Sequence, residues 1–307
     1  MDLLSAMRTF AEIATRGSMT AAAHASDRSL PAVTRQLAQL EQHLGVRLLQ
    51  RTTRTQSLTP EGATFLRRCE RIVAEVEDAE RELLDVGTTL RGPLAVAAPV
   101  LFGQRHVMPI LGTFLKDHPQ VNIDLSLLDR VVHFSDEPFD LAVRIGPLTD
   151  SSLIAVPVGT MRRIVCAAPA LLARCGRPER PDDLHSRPCL RAGPLAPGWR
   201  WHFQQDGRDI AVAIDGPLAC NQVAAAADAC RDGVGFGQFL AYQVEPFLRD
   251  TTLQVVLNDF ESPAVPVHLL CPTKQHMPRR VRAVLDTLRA HLRQRLTALA
   301  AAVDACG

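Results

Sequence analysis

Ser29-Leu30-Pro31-Ala32-Val33-Thr34-Arg35-Gln36-Leu37-Ala38-Gln39-Leu40-Glu41 is the stretch whose reading decides the fold. Val33, Leu37, Leu40 and Leu44 recur at i, i+4, i+7 and i+11, one apolar stripe of a 3.6-residue period. Ser29 suits the N-cap, where its hydroxyl accepts an orphan backbone N–H of the first turn. Pro31 is tolerated only there, because its missing N–H had no intrahelical partner to lose. Gly45 supplies a left-handed stop. The face opposite the stripe offers Leu30, Thr34 and Arg35 at its front end. Short polar groups and an arginine on a capped helix are what a DNA major groove admits.

Upstream, Leu3 to Thr15 is amphipathic through Leu3, Met7, Phe10 and Ile13, and Gly17 ends it. Ser18 caps a second helix, Met19 to Ala25, whose Ala21-Ala22-Ala23 run permits close helix packing. A turn over Ser26-Asp27-Arg28 leads into the quoted stretch, which makes a helix-turn-helix. Downstream, Val46-Arg47-Leu48-Leu49 and Ser57-Leu58-Thr59 are extended pieces around Arg51-Thr52-Thr53-Arg54-Thr55, a short wing tipped by two arginines. The chain's net charge is only +1, yet Arg28, Arg35, Arg47, Arg51 and Arg54 face Glu41 alone over this region, a local excess of +4. Phosphates need such a patch for affinity, while the groove helix selects sequence.

Residues 18–62 run Ser-Met-Thr-Ala-Ala-Ala through Pro-Ala-Val-Thr-Arg-Gln-Leu, Leu-Gly-Val-Arg-Leu-Leu, Arg-Thr-Thr-Arg and Leu-Thr-Pro-Glu-Gly. This pattern resembles the winged helix-turn-helix of LysR-type transcriptional regulators. The resemblance implies that Thr20 contacts phosphate at the start of the second helix. It makes Leu30, Pro31, Thr34 and Arg35 the groove-facing set and Arg51 and Arg54 the wing contacts, with the cap Ser29 also counted among the DNA-binding residues. Leu30 departs from the polar residue usual there; it can touch only a thymine methyl or the sugar wall. Ser26 and Arg28 replace apolar residues, which removes hydrophobic anchoring from the turn.

From Thr59 the spacing predicts one helix to about Leu90, with Thr59 as cap and Pro60 at its first position. Phe65, Cys69, Ile72, Val76, Ala79, Leu83, Val86 and Leu90 alternate spacings of four and three. That heptad seam asks for a partner, either its own C-terminal region or a second copy, and the expectation is a dimer. Gly92-Pro93 ends the helix.

Beyond it, Leu94–Ala97, Val121–Leu127 and Phe139–Ile145 read as strands around a helix at Val107–Lys116, predicting a parallel α/β sheet. Ile164–Ala167, a helix from Asn221 to Arg231, and a Gly233-Val234-Gly235 turn into a strand form a second set. Val267–Cys271 returns to the first, and Pro278–Ala301 is a terminal helix. The division is a DNA-binding head at 1–58, a linker helix at 59–90 and a two-lobed domain at 91–307. Lobe I covers about 91–162 and 265–307, lobe II about 163–264. Leu128-Asp129-Arg130, residues 137–146 and residues 150–153 resemble the same family's effector domain, itself similar to periplasmic solute-binding proteins. The fold class so implied is an all-α winged helix-turn-helix with a linker helix, then an α/β two-lobed domain.

Two lobes joined by two crossings place a cleft at strand ends, the default ligand site. Its candidates are Pro99, Val100, Leu101 and Phe102, where free helix N–H groups would suit a carboxylate, with Arg144, Trp201 and Asn221. Relatives place a serine or threonine where Leu101 stands.

Eight cysteines show neither C-x-x-C nor zinc spacing and read as reduced thiols, so the chain is expected in the cytoplasm without metal or cofactor. Neither a secretory leader nor 18 consecutive apolar residues appear. No phosphate loop or nucleophile elbow names a catalytic residue. The expectation is therefore a non-enzyme, a sequence-specific transcription regulator answering an organic acid or aromatic metabolite. Its partners would be promoter DNA, the effector, itself as dimer or tetramer, and RNA polymerase. The alternatives are a thiol-based redox regulator, weakened because Cys220 and Cys230 lie roughly 15 Å apart along one helix, and then a solute-binding protein or an enzyme.

Overall fold

In the computed structural model the described residues are 1–51, 56–84, 89–134, 137–148, 153–193, 199–272 and 277–306, with positions 51, 56, 78, 79 and 81–84 described by backbone alone. The N-terminal head is built from α1 (Leu3–Arg16), α2 (Met19–Ala25) and α3 (Leu30–Leu44), then strands β1 (Leu49–Arg51) and β2 (Gln56–Leu58). The caps follow the sequence. Asp2, Ser18 and Ser29 each accept a first-turn N–H, and Gly17 and Gly45 end α1 and α3 with φ of 66° and 71°. Val33, Leu37 and Leu40 are buried against Phe10, Ile13 and Ala22 in one head core. Antiparallel pairing of Leu49 with Leu58 closes the wing, and Glu41 pins its base by accepting the Leu48 and Leu49 N–H groups at 2.8 and 3.2 Å. Arg54 at the wing tip and the Arg51 side chain lie outside what is described.

Helix α4 (Pro60–Leu84) starts as expected: Thr59 accepts the Gly62 N–H at 2.8 Å and donates to the Arg47 carbonyl at 2.8 Å. Gly62 is required, since a Cβ there would stand 1.9 Å from the Leu48 carbonyl oxygen. The seam divides along its length. Phe65 and Cys69 pack into the head core, and Leu90 packs on the core of lobe I, so these three are spent within the chain. This corrects their assignment to a dimer face: α4 crosses α1 at its start, so Phe65 and Cys69 meet their own head first, and Leu90 meets lobe I. Ile72 remains 40% exposed and Val76 half-buried. The side chains of Ala79 and Leu83, and all of Val86, lie outside the described residues.

Lobe I contains β3 (Gly92–Ala98), a helical run of α5 (Val100–Phe102), a π-turn (Gly103–Val107) and α6 (Met108–Asp117), then β4 (Val121–Leu127), β5 (Leu141–Ile145) and β6 (Ile154–Met161). Lobe II contributes β7 (Arg163–Ala167), α7 (Pro169–Cys175), β8 (Arg191–Ala192), β9 (Arg200–Gln205), β10 (Arg208–Ala213) and β11 (Ala219–Cys220). It continues through α8 (Val223–Arg231), β12 (Gly237–Leu240), α9 (Ala241–Arg249) and β13 (Gln254–Val256). The chain then returns through β14 (Val265–Cys271) and α10 (Arg279–Asp304).

The sheet of lobe I has the order β4-β3-β5-β14-β6. It is mixed: the three strands read as parallel from the sequence are parallel, and β14 is the strand that departs. β3 runs parallel to β4 and β5, while β14 is antiparallel to both its neighbours. The reason lies in the connections: β14 enters from the other lobe without a crossover helix, and only such crossovers enforce parallel pairing. In lobe II, β12 and β13 flank β7 and both run antiparallel to it. Helices α6 and α10 cover one face of the first sheet. The end of α10 carries Val303 into the core of lobe II, so α10 ties the lobes together, helped by Arg162 bound to both Glu261 and Asp304.

Candidate DNA-binding face and effector cavity

On the head, Thr20, Ser29, Leu30, Pro31 and Arg35 are exposed, and Leu30 keeps 42% of its surface. They share the front of α3 and the start of α2. Thr34 is half-buried and donates its hydroxyl to the Met19 sulfur at 3.6 Å, so Arg35 is the polar side chain projecting from that turn. The turn is ordered by polar groups instead of the missing apolar anchors. Ser26 donates to the Ala22 carbonyl at 2.7 Å, Asp27 adopts φ of 52°, and Arg28 bonds Ser5, Thr9 and Gln36. Arg28 stays exposed and keeps its charge in the basic patch, while its donors are taken up by Ser5, Thr9 and Gln36 of the head.

Between the lobes lies a cavity of about 940 Å³, the upper end of the range for small-molecule sites. Lobe I lines it with Ala97, Ala98 and Pro99 after β3, Leu128 to Phe134 after β4, and Ala142 to Ile145 of β5. Gly193, Asn221, Gln222 and Val223 come from lobe II, as do Leu240, Tyr242 and Gln243 at the junction of β12 and α9. Of the sequence candidates, the fold brings Pro99, Arg144 and Asn221 together here. Asn221 precedes α8 by two residues and is not its cap, which is Gln222.

The other candidates are corrected. Phe102 is fully buried and Leu101 nearly so, both in the core of lobe I, because the helical run turns its apolar side to the sheet. Trp201 packs in the core of lobe II, held there by the β9–β10 hairpin. The Val100 N–H is not open to a ligand: Asp129 accepts it at 3.0 Å.

Arg144 is half-buried and has no hydrogen bond or ion pair with the described residues. The second arginine of the wall, Arg130, is clamped by Glu137 at 2.7 and 2.5 Å, which holds the Glu137 carboxyl below its usual range. His268 faces Arg144 across the β5–β14 pair, and its buried Nδ1 finds no acceptor or donor among the described residues. The Tyr242 hydroxyl is pushed up to about 12, chiefly by burial, so it stays neutral in the wall. Sequence reasoning gave no cavity role to Asp129, which lies in the quoted Leu128-Asp129-Arg130 run after β4, nor to Tyr242 and Gln243, which carry no local motif and reach the cavity from the start of α9.

The cysteines do not form a reactive pair. Cys166 and Cys230 are fully buried, with the Cys230 thiol donating to the Cys166 carbonyl at 3.4 Å. Burial raises the Cys166 thiol well above its usual range, with Cys230 adding to it, and pushes Cys189 and Cys69 up to about 12. Thiols so held are poor nucleophiles.

A winged helix-turn-helix joined by a helix to a two-lobed domain with an interlobe cavity defines a ligand-linked, DNA-binding transcription regulator. The chain belongs to the LysR family: the model for "LysR substrate binding domain" matches residues 87–293, and that for "Bacterial regulatory helix-turn-helix protein, lysR family" matches residues 4–63. It is 31% identical over 291 residues to the probable HTH-type transcriptional regulator LtrA of Klebsiella pneumoniae, covering 94% of each chain. It is 32% identical over 268 residues to the HTH-type transcriptional regulator DmlR of Escherichia coli, covering 86% of each. Among solved structures it resembles the LysR-type regulator CrgA of Neisseria meningitidis with a TM-score of 0.60 and 27% identity, over 94% of this chain and 98% of that one. The Vibrio cholerae virulence activator AphB matches with a TM-score of 0.59 and 26% identity, over 94% and 99%. Among the described residues no helix is long and apolar enough to cross a membrane.

Proposed function

We propose that this regulator answers an organic acid, aliphatic or aromatic, held between the lobes with its carboxylate on Arg144. The observation that carries the reading is Arg144 itself, a half-buried guanidinium of the cavity wall with no hydrogen bond or ion pair among the described residues. A half-desolvated guanidinium gains a bidentate, charge-assisted pair when a carboxylate arrives. Asn221 offers an amide from lobe II, so one ligand can bond both lobes and favour their closed arrangement. Leu128, Val132, Phe134 and Leu270 suit the ligand's apolar body.

The DNA contacts follow from the same reading. Arg35 enters the major groove with Leu30 and Pro31 beside it, Thr20 and Ser29 meet phosphate, and Arg51 and Arg54 extend the wing along the backbone. The assembly is a cytoplasmic dimer, doubled into a tetramer, joined through the part of α4 around Ile72 and Val76. RNA polymerase is the downstream partner, and the chain performs no catalysis of its own.

The test is a thermal-shift screen of organic acids, benzoates included, on the full chain. A stabilising acid should lose at least tenfold in affinity in Arg144→Gln; an unchanged affinity would sink the Arg144 assignment. On DNA, Thr34→Ala with Arg35→Ala should abolish sequence preference on a duplex selected by the wild-type chain. If the preference persists, α3 is not the reading element.

A further inference from the structure

We propose that Arg28 is a positioning residue for DNA reading: it fixes the rotation of α3 against α1 and does not itself bind phosphate. The inference rests on α3 being the groove helix. Arg28 leaves the turn after Asp27, whose left-handed backbone and the Arg28 N–H bond to the Ala23 carbonyl at 3.0 Å aim the side chain back over the head. Its guanidinium then spans two helices. One Nη donates to Gln36 Oε1 at 2.6 Å and to Thr9 Oγ1 at 3.3 Å, and the other donates to Ser5 Oγ at 3.1 Å. Gln36 is also bonded directly to the facing helix: Thr9 Oγ1 donates to Gln36 Oε1 at 2.9 Å, and Gln36 Nε2 donates to Ser5 Oγ at 2.8 Å. Thr9 is only 5% exposed, so this is a polar insertion at the edge of the head core.

The stripe of Val33, Leu37 and Leu40 sets how close α3 lies to α1, but apolar contact is non-directional. Hydrogen bonds are directional. Gln36, adjacent to the exposed Arg35, is the point where α3 is held against rotation about its own axis. Three acceptor oxygens from two helices converge there, and only a planar fork reaches Ser5 and Gln36 together. A lysine ammonium, a point charge with rotatable donors, lacks the fixed fork that holds them in one orientation.

The sequence alone would place Arg28 among phosphate contacts, and the two roles differ in salt dependence. A phosphate contact contributes about one to the slope of log affinity against log salt, and its loss weakens all DNA alike. A positioning residue leaves the slope and the non-specific affinity alone and lowers specific binding. The experiment uses full-length Arg28→Met, Arg28→Lys, Gln36→Met and the Arg28→Met/Gln36→Met double variant. Each is titrated over a salt series with a duplex selected by the wild-type chain and with a shuffled duplex, at a temperature where circular dichroism shows every variant folded. We expect about tenfold weaker specific binding for both Arg28 variants, an unchanged slope and unchanged binding to shuffled DNA. The double variant should be no weaker than the worse single one. Full affinity in Arg28→Lys with a slope reduced by about one in Arg28→Met would overturn the proposal. So would fold-losses that multiply in the double variant. Should Arg28→Met fail to fold, Arg28→Lys against Gln36→Met still separates the roles. The Thr34/Arg35 pair reports separately on whether α3 reads DNA.

Discussion

Arg144 and Arg28 carry the same charge in opposite settings: among the described residues one meets no acceptor and the other meets three. His106 adds a third case at this scale. It sits in the π-turn with its ring 4.9 Å from Phe102 and 5.7 Å from Tyr242. Burial, then Arg295 and Arg105, lower its pKa to about 4. The folded state therefore resists protonating a group that the unfolded chain protonates near pH 6.5. Its contribution to stability is complete above that value and is lost as pH falls from about 6.5 toward about 4. Melting temperature should drop over that window, and His106→Phe should flatten the drop; an identical pH profile in the variant would contradict the assignment. The thiols give a second residue-scale prediction. Ellman's reagent on native protein should titrate Cys306 at once and Cys175 and Cys220 more slowly. Cys69, Cys166, Cys189, Cys230 and Cys271 should react only on unfolding, and a fast buried thiol would revive the redox reading.

Helix α4 joins the head to lobe I. Its start is pressed on the wing at Gly62, its middle joins Arg71 to Asp140 at 3.1 Å, and Asp140 in turn accepts the Ala95 N–H at 2.8 Å. Gly62→Ala has nowhere to put its methyl, since a backbone carbonyl stands in the way. It should cost about 2 kcal/mol of head stability by overpacking, measured by urea unfolding. The seam is legible as a heptad, yet its use is not uniform. Cys69→Asp should unfold the head, whereas Ile72→Asp should leave it folded and dissociate the assembly in sedimentation. An unchanged sedimentation coefficient would remove the helix from the interface.

At the scale of the molecule, two lobes share a sheet-to-sheet crossing, a cavity and one long helix. Asp140 stands immediately before β5 and Arg144 near its far end, so the strand that meets the cavity also meets the linker helix at its other end. If β5 couples the two ends, Asp140→Asn should change the affinity of the cavity for a bound acid, measured by calorimetry, and the stabilisation should change with it. An unchanged affinity would mean that the lobes and the linker are uncoupled.

The sequence by itself determined the head and its caps. Ser18, Ser29, Thr59, Gly17 and Gly45 act on neighbours within four residues, and a 3.6-residue stripe names a buried face wherever the partner lies. The family could be read because those local signals sit in one fixed order. Only the tertiary structure decided what depends on distant chain. β14 turns the sheet mixed because it arrives from the other lobe. Asp129 takes the helix N–H that a ligand was expected to fill. Trp201 is claimed by its hairpin, and Arg28 turns inward because Ser5 and Gln36 happen to converge beside it. A side chain's partner is set by three-dimensional proximity, which local spacing does not encode.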